Sequence, residues 1–132
     1  MTTILLVEDS PDDLELMRLA IRSTGLAAEV VCARDGVKAL EALQTGELPA
    51  VVLLDLRMPR FDGFQVLERM RASDRLRYVP VVVLSSTDEP GDIRRAYEAG
   101  ANSFVCKPMG FAAAREVIAD LGRYWIERNR HA

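Results

Sequence analysis

Three short runs of uninterrupted apolar residues limit what this chain can fold into: Ile4-Leu5-Leu6-Val7, Val51-Val52-Leu53-Leu54 and Val81-Val82-Val83-Leu84. A strand with one wet face alternates apolar and polar residues, whereas a strand covered on both faces does not. The runs therefore read as strands in the middle of a parallel sheet, with helices on either side. Each ends on polar residues: Glu8-Asp9, Asp55, and Ser85-Ser86-Thr87. Open α/β sheets place their ligands outside the carboxyl ends of the strands. A carboxylate such as Asp55 at that lip is costly unless something uses it or pairs with it.

Helix signals fill the gaps between the runs. Ser10-Pro11-Asp12-Asp13 is a helix start, with Ser as N-cap, Pro at the first position and acids in the first turn. Its apolar stripe is Leu14, Leu16, Met17, Leu19, Ala20 and Ile21, and Gly25 stops it. Asp35-Gly36 opens a helix with Val37, Leu40 and Leu43 on one face. Asp62-Gly63 caps one carrying Phe64, Val66, Leu67 and Met70. A fourth begins at residues 88–91, carries Ile93, Ala96, Tyr97 and Ala99, and closes at Gly100. The last runs from about 110 to about 128, with Phe111, Ala114, Ile118, Leu121 and Trp125 spaced by threes and fours. Two less apolar strands remain, Glu29-Val30-Val31-Cys32 and Ser103-Phe104-Val105-Cys106.

Five strands alternating with five helices predict an α/β fold, a parallel sheet with right-handed crossovers. Strands one, three and four are the most apolar and two and five the least. This ranking matches the flavodoxin-like order 2-1-3-4-5, with two and five at the edges. The 132 residues suffice for one domain with a real core, so residues 1–132 are expected to form a single domain. The net charge of −3, from 17 basic and 20 acidic residues, argues against a nucleic-acid partner. No apolar run is long enough to span a membrane, and the first eight residues lack the basic region and cleavage site of a signal peptide. Cys32 and Cys106, read as small buried thiols, fit a reducing cytoplasm.

All five strand ends of a parallel sheet face one rim. Glu8, Asp9, Asp55, Ser85 and Lys107 are therefore expected together: three carboxylates, a hydroxyl and an ammonium. Crowded carboxylates repel by a few kcal/mol per close pair at an effective dielectric of about 20. A hard divalent cation such as Mg²⁺ removes that repulsion. Metal and Lys107 together would attract an anion with several oxygens, leaving Asp55 as a carboxylate nucleophile toward a phosphoryl group. Taken singly, each of these residues reads as turn or cap chemistry. At the ends of four strands of one sheet, the functional reading prevails.

The stretches Ile4-Leu5-Leu6-Val7-Glu8-Asp9, Leu54-Asp55-Leu56-Arg57-Met58-Pro59 with Asp62-Gly63, Leu84-Ser85-Ser86, and Gly100-Ala101-Asn102 leading to Lys107-Pro108 resemble the receiver domain of two-component response regulators. The resemblance covers nearly the whole chain. It implies that Asp55 accepts a phosphoryl group from a histidine kinase. It implies that Asp9 ligates Mg²⁺ directly, Glu8 through water, and Arg57 through its main-chain carbonyl. Ser85 would be the switch hydroxyl and Lys107 the phosphoryl's partner, joined to Pro108 by a cis peptide. Phe104 falls where the family has its rotating aromatic residue. Arg57 and Thr87 fall where the family tunes phosphate lifetime, and Arg57 is expected to screen the phosphoaspartate from water. Phosphorylation would bias the surface formed by the fourth helix, the fifth strand and the last helix, which also serves homodimers. Val7-Glu8-Asp9-Ser10-Pro11-Asp12-Asp13 and the extension Tyr124-Trp125-Ile126 resemble stand-alone regulators paired with bacterial phytochromes, which would make such a phytochrome the kinase. Trp125 would serve a dimer interface or the core, and Gly122, costing about 1 kcal/mol relative to Ala, would admit a partner helix.

Two rivals fare worse. An aspartyl-phosphate phosphatase would carry a second acid two residues after its nucleophile, where this chain has Arg57. A flavin mononucleotide binder would need a Gly/Ser/Thr first loop to cradle phosphate, where this chain has Glu8, Asp9, Asp12 and Asp13. The chain is expected to be a signalling switch with no output domain rather than an enzyme.

Overall fold

The computed structural model describes residues 2–132. Its strands are β1 (Thr3–Val7), β2 (Glu29–Ala33), β3 (Val51–Leu54), β4 (Val81–Ser85) and β5 (Ser103–Cys106). Its helices are α1 (Pro11–Thr24), α2 (Gly36–Gln44), α3 (Gly63–Ala72), α4 (Pro90–Ala99) and α5 (Phe111–Gly122). The sheet is parallel throughout, in the order β2-β1-β3-β4-β5, as the apolar ranking of the strands predicts.

The continuous apolar runs are split by the pleat between two cores. Leu5, Val7, Val52, Leu54, Val81 and Val83 face a core shared with Ala39 and Leu43 of α2, Phe64 and Leu67 of α3, and Ala96 of α4. Their alternates Ile4, Leu6, Val51, Leu53, Val82 and Leu84 face a second core, with Met17 and Ile21 of α1 and Ala114 and Ile118 of α5. The sheet is thus covered on both faces. The order reverses between β1 and β3, which opens the crevice where such sheets bind ligands.

Side-chain caps fix where α1, α2 and α3 begin at the crevice. The Ser10 hydroxyl accepts from the Asp13 N–H, and Asp35 accepts from the Lys38 N–H. Asp62 and Gln65 form a reciprocal capping box at α3. Gly63 lets α3 start hard against the β3 exit. A Cβ there would lie 2.5 Å from the Asp55 carbonyl oxygen and 2.7 Å from the Leu56 Cα, both rigid backbone. On the far side of α3, the Arg71 guanidinium donates to the carbonyls of Gly100 and Val79 and to the Asn102 side chain. It ties α3 to the α4–β5 turn.

Several expectations need correction. Leu19, Val37, Tyr97 and Phe111, counted among apolar stripes, are exposed, because the stripes are wider than the faces the sheet covers. Cys32 and Cys106 are free thiols and exposed, since both lie on edge strands. The last helix reaches Arg128 as expected, but from Arg123 it widens into a π-helical turn closed by the Asn129 N–H on the Tyr124 carbonyl, 2.7 Å. Gly122 makes room within the chain: a Cβ there would lie 2.4 Å from a Leu26 methyl. Trp125 and Ile126 are half-buried against the second core.

Gly63→Ala should cost about 1–3 kcal/mol by chemical denaturation, the price of an overpacked site. Gly91→Ala, with nothing within 4 Å of its Cβ position, should cost nothing. Equal stability of the two variants would contradict the tight α3–β3 junction.

Candidate functional site

Register sets the site. Val7 pairs with Leu54 across β1 and β3, so Glu8 and Asp55 emerge side by side at the carboxyl rim. Ser85 ends β4 and pairs with Cys106, which brings Lys107 in from the opposite side. The main chain holds these exits. The Asp55 N–H donates to the Val7 carbonyl at 3.0 Å, and the Lys107 N–H to the Ser85 carbonyl at 2.8 Å.

Glu8, Asp55 and Ser85 are all buried, with exposures of 3%, 5% and 0%. One ammonium answers both acids: Lys107 Nζ lies 2.7 Å from Glu8 Oε1 and 3.4 Å from Asp55 Oδ2. Main-chain donors take the remaining oxygens. The Ser10 N–H reaches Glu8 Oε2 at 3.1 Å, and the Arg57 N–H reaches Asp55 Oδ1 at 3.3 Å. The Ser85 hydroxyl accepts from the Thr87 N–H at 3.3 Å. Glu8, Asp9 and Asp55 can each present one carboxylate oxygen, the three lying within 4.8 Å of one another. An all-oxygen donor set without thiolate or imidazole fits a hard divalent cation.

Glu8, Asp9, Asp55 and Lys107 are therefore brought together, and Ser85 joins them through its main-chain bond to Lys107. Two partners went unrecognised in the sequence. Asp13, in the first turn of α1, also binds Lys107 Nζ at 3.0 Å. Its signal was present in the acidic helix start, which reads equally well as a dipole-favoured cap. Asp92, in the first turn of α4, pairs with the Arg57 guanidinium. Nothing in the sequence links residues 35 positions apart. Phe104 is half-buried against the core of α2, α3 and α4. The Lys107–Pro108 peptide is trans, not cis. Trans is the form an X–Pro bond prefers by about 0.5–1 kcal/mol, and Lys107 reaches its carboxylates from it.

Burial pushes the Glu8 carboxyl up to about 7, against the pull of Lys107 and the Ser10 N–H. Burial also raises Asp55, opposed by Lys107 and the Arg57 N–H. For Lys107 burial alone would favour the neutral amine, but Glu8, Asp55 and Asp13 outweigh it and raise its pKa. A pocket at the rim is lined by Glu8, Asp13, Asp55, Lys107 and Pro108 over the apolar floor of Leu6, Leu53 and Leu84.

The sign of the pH dependence follows. An unfolded Glu8 loses its proton near 4.5, the folded one near 7, so its burial destabilises the metal-free protein increasingly as pH rises through that window. In EDTA, the melting temperature of Glu8→Gln minus that of wild type should therefore increase from pH 5 to pH 8. A difference that stays constant or falls would contradict the assignment.

Residues 4–119 match the family model described as the response regulator receiver domain. A curated relative, the "Probable methanogenesis regulatory protein FilR2" of Methanothrix harundinacea (strain 6Ac), is 39% identical over 132 residues, covering 96% of this chain and 85% of its own. The "bacteriophytochrome response regulator AtBRR" structure is 48% identical, covers 95% of both chains and superposes with a TM-score of 0.78. The Mn²⁺-bound form of response regulator Rcp1 is 29% identical, covers 100% of this chain and 99% of its own, and gives a TM-score of 0.88. With its five parallel strands in the order 2-1-3-4-5 and its acid-lined rim, this chain belongs to the response regulator receiver domain family.

Proposed function

We propose that the chain is a phosphoryl-accepting switch. Asp55 takes a phosphoryl group from a histidine kinase, and Asp9, Asp55 and the main-chain carbonyl of Arg57, with Glu8 through water, would hold Mg²⁺. The observation that carries this reading is one ammonium, Lys107, shared by two buried carboxylates within an all-oxygen cluster. Bound Mg²⁺ would neutralise charge on the carboxylates and on the incoming phosphoryl oxygens. The Mn²⁺-bound Rcp1 relative supports a divalent site of this kind.

In the transfer, an Asp55 carboxylate oxygen attacks phosphorus and forms a P–O bond while the P–N bond to the kinase histidine breaks and its electron pair returns to the imidazole. Lys107 opposes the burial that favours a protonated Asp55 and offers its charge to the phosphoryl group. The Ser85 hydroxyl, an acceptor toward Thr87, retains its own proton to donate to a phosphoryl oxygen. Such reactions depend chiefly on positioning and charge neutralisation.

The product adds charge and strong acceptor oxygens at the rim. Ser85 and Lys107, linked through the main chain, carry that change toward α4, β5 and α5. β5 is an edge strand, and Tyr97, Phe111 and Tyr124 expose apolar surface on α4, α5 and the π turn, which supports homodimer or partner binding there. A bacterial phytochrome as the kinase is supported by the 48% identity to a bacteriophytochrome response regulator. The two free thiols agree with a cytoplasmic setting. No described helix is long and apolar enough to cross a membrane.

Wild type incubated with Mg²⁺ and a small phosphodonor should gain one phosphoryl mass. Asp55→Asn should gain none, nor should wild type in EDTA. An unmodified wild type would overturn the reading. In size-exclusion chromatography with light scattering, the protein should elute at twice the chain mass, and a monomer at every concentration would exclude the dimer.

A further inference from the structure

The β3–α3 loop and α4 are joined by one ion pair that the switch must confront. Arg57 stands two residues after Asp55, and its own N–H is already on the Asp55 carboxylate at 3.3 Å. Its guanidinium turns away and binds Asp92 in the first turn of α4. Arg57 is the more exposed partner, its side chain 56% accessible, while Asp92 is only 14% accessible. The Arg57 and Arg95 guanidiniums both lie over the Phe64 ring, at 5.9 and 3.9 Å from its centroid, so the link runs from the acceptor loop through α3 to α4.

α4 is less buried than the helix beside it. Ala96 is its only buried residue, whereas α3 buries five. Its N-cap, Glu89, makes no side-chain cap bond. Asp92 therefore stands alone as the acid in the first turn, a position the helix dipole favours.

Resting on the phosphoacceptor reading, we propose that Asp92 is a positioning residue: it holds Arg57 off the phosphoryl site, and phosphorylation draws Arg57 from Asp92 to the phosphoryl oxygens, releasing the first turn of α4. Lys107 is already divided among Glu8, Asp13 and Asp55. A phosphoryl group presents more acceptor oxygens than Lys107 can serve. A guanidinium binds phosphate oxygens in paired, parallel hydrogen bonds and is the better match. The loss of the Asp92 pair is then the event α4 feels, and the same motion seats Arg57 where it screens the phosphoaspartate from water.

The probe is beryllofluoride with Mg²⁺, a non-transferable stand-in for the phosphoryl group. Asp92→Asn frees Arg57 beforehand and should bind beryllofluoride about three- to tenfold more tightly than wild type, the lower part of the range of contact-pair couplings. The gain should vanish in Arg57→Ala/Asp92→Asn, and Asp92→Glu should restore wild-type affinity. In wild type, amide hydrogen exchange in the first turn of α4 should accelerate on loading, and in Arg57→Ala it should not respond. Unchanged affinity in Asp92→Asn, or the same gain with Arg57 absent, would overturn the proposal while leaving Asp55 as acceptor. Failure of wild type to bind beryllofluoride at all would instead bring down the phosphoacceptor reading, and this inference with it.

Discussion

Two carboxylates buried side by side, answered by a single ammonium, are the constraint on which the rest of the structure depends. Glu8 and Asp55 leave adjacent strands at the same level. Each would be expensive there alone, and together they repel. Lys107 offsets both, yet it also serves Asp13. The site is therefore under-supplied with positive charge, and burial raises the Glu8 pKa despite the pull of Lys107. A protein selected only for stability would fill such a pocket with apolar side chains. Retaining the acids makes sense if a cation and an anionic group complete the charge balance, which is the chemistry of a regulated phosphoryl site.

The surrounding elements hold this arrangement in place. The apolar runs of β1, β3 and β4 are split between two cores, which fixes the strands on both faces and leaves their carboxyl ends as the free variable. Gly63 lets α3 press against the β3 exit, so the Asp55–Leu56 backbone has little room to move. α4 is anchored more lightly, by Ala96, by Arg71 on the Gly100 carbonyl, and by Asp92 on Arg57. Rigid support under Asp55 and light attachment of a neighbouring helix are the mechanical requirements of a switch.

Most of the fold was legible in the sequence because its signals are local. Unbroken apolar runs identify inner strands, and Ser10, Asp35 and Asp62 announce their helices by cap chemistry. The site was legible because a parallel sheet sends every strand end to one rim, so Glu8, Asp55, Ser85 and Lys107 meet by topology alone. Other features depended on distant geometry. The exposure of Leu19, Val37 and Tyr97 reflects how much of each helix the sheet covers, which periodicity cannot supply. The Arg57–Asp92 and Lys107–Asp13 pairs join residues far apart in sequence. Gly122 reads in sequence as room for a partner helix, but in the fold it makes room for Leu26.

The central claim is that Asp55 itself forms the acyl phosphate, and one measurement tests it most directly. After treatment with a small phosphodonor and Mg²⁺, borohydride reduction converts an aspartyl phosphate to homoserine, which tandem mass spectrometry locates in the sequence. The account predicts homoserine at position 55 and at no other aspartate. Homoserine at Asp9, Asp13 or another position, with residue 55 recovered as unmodified aspartate, would contradict it.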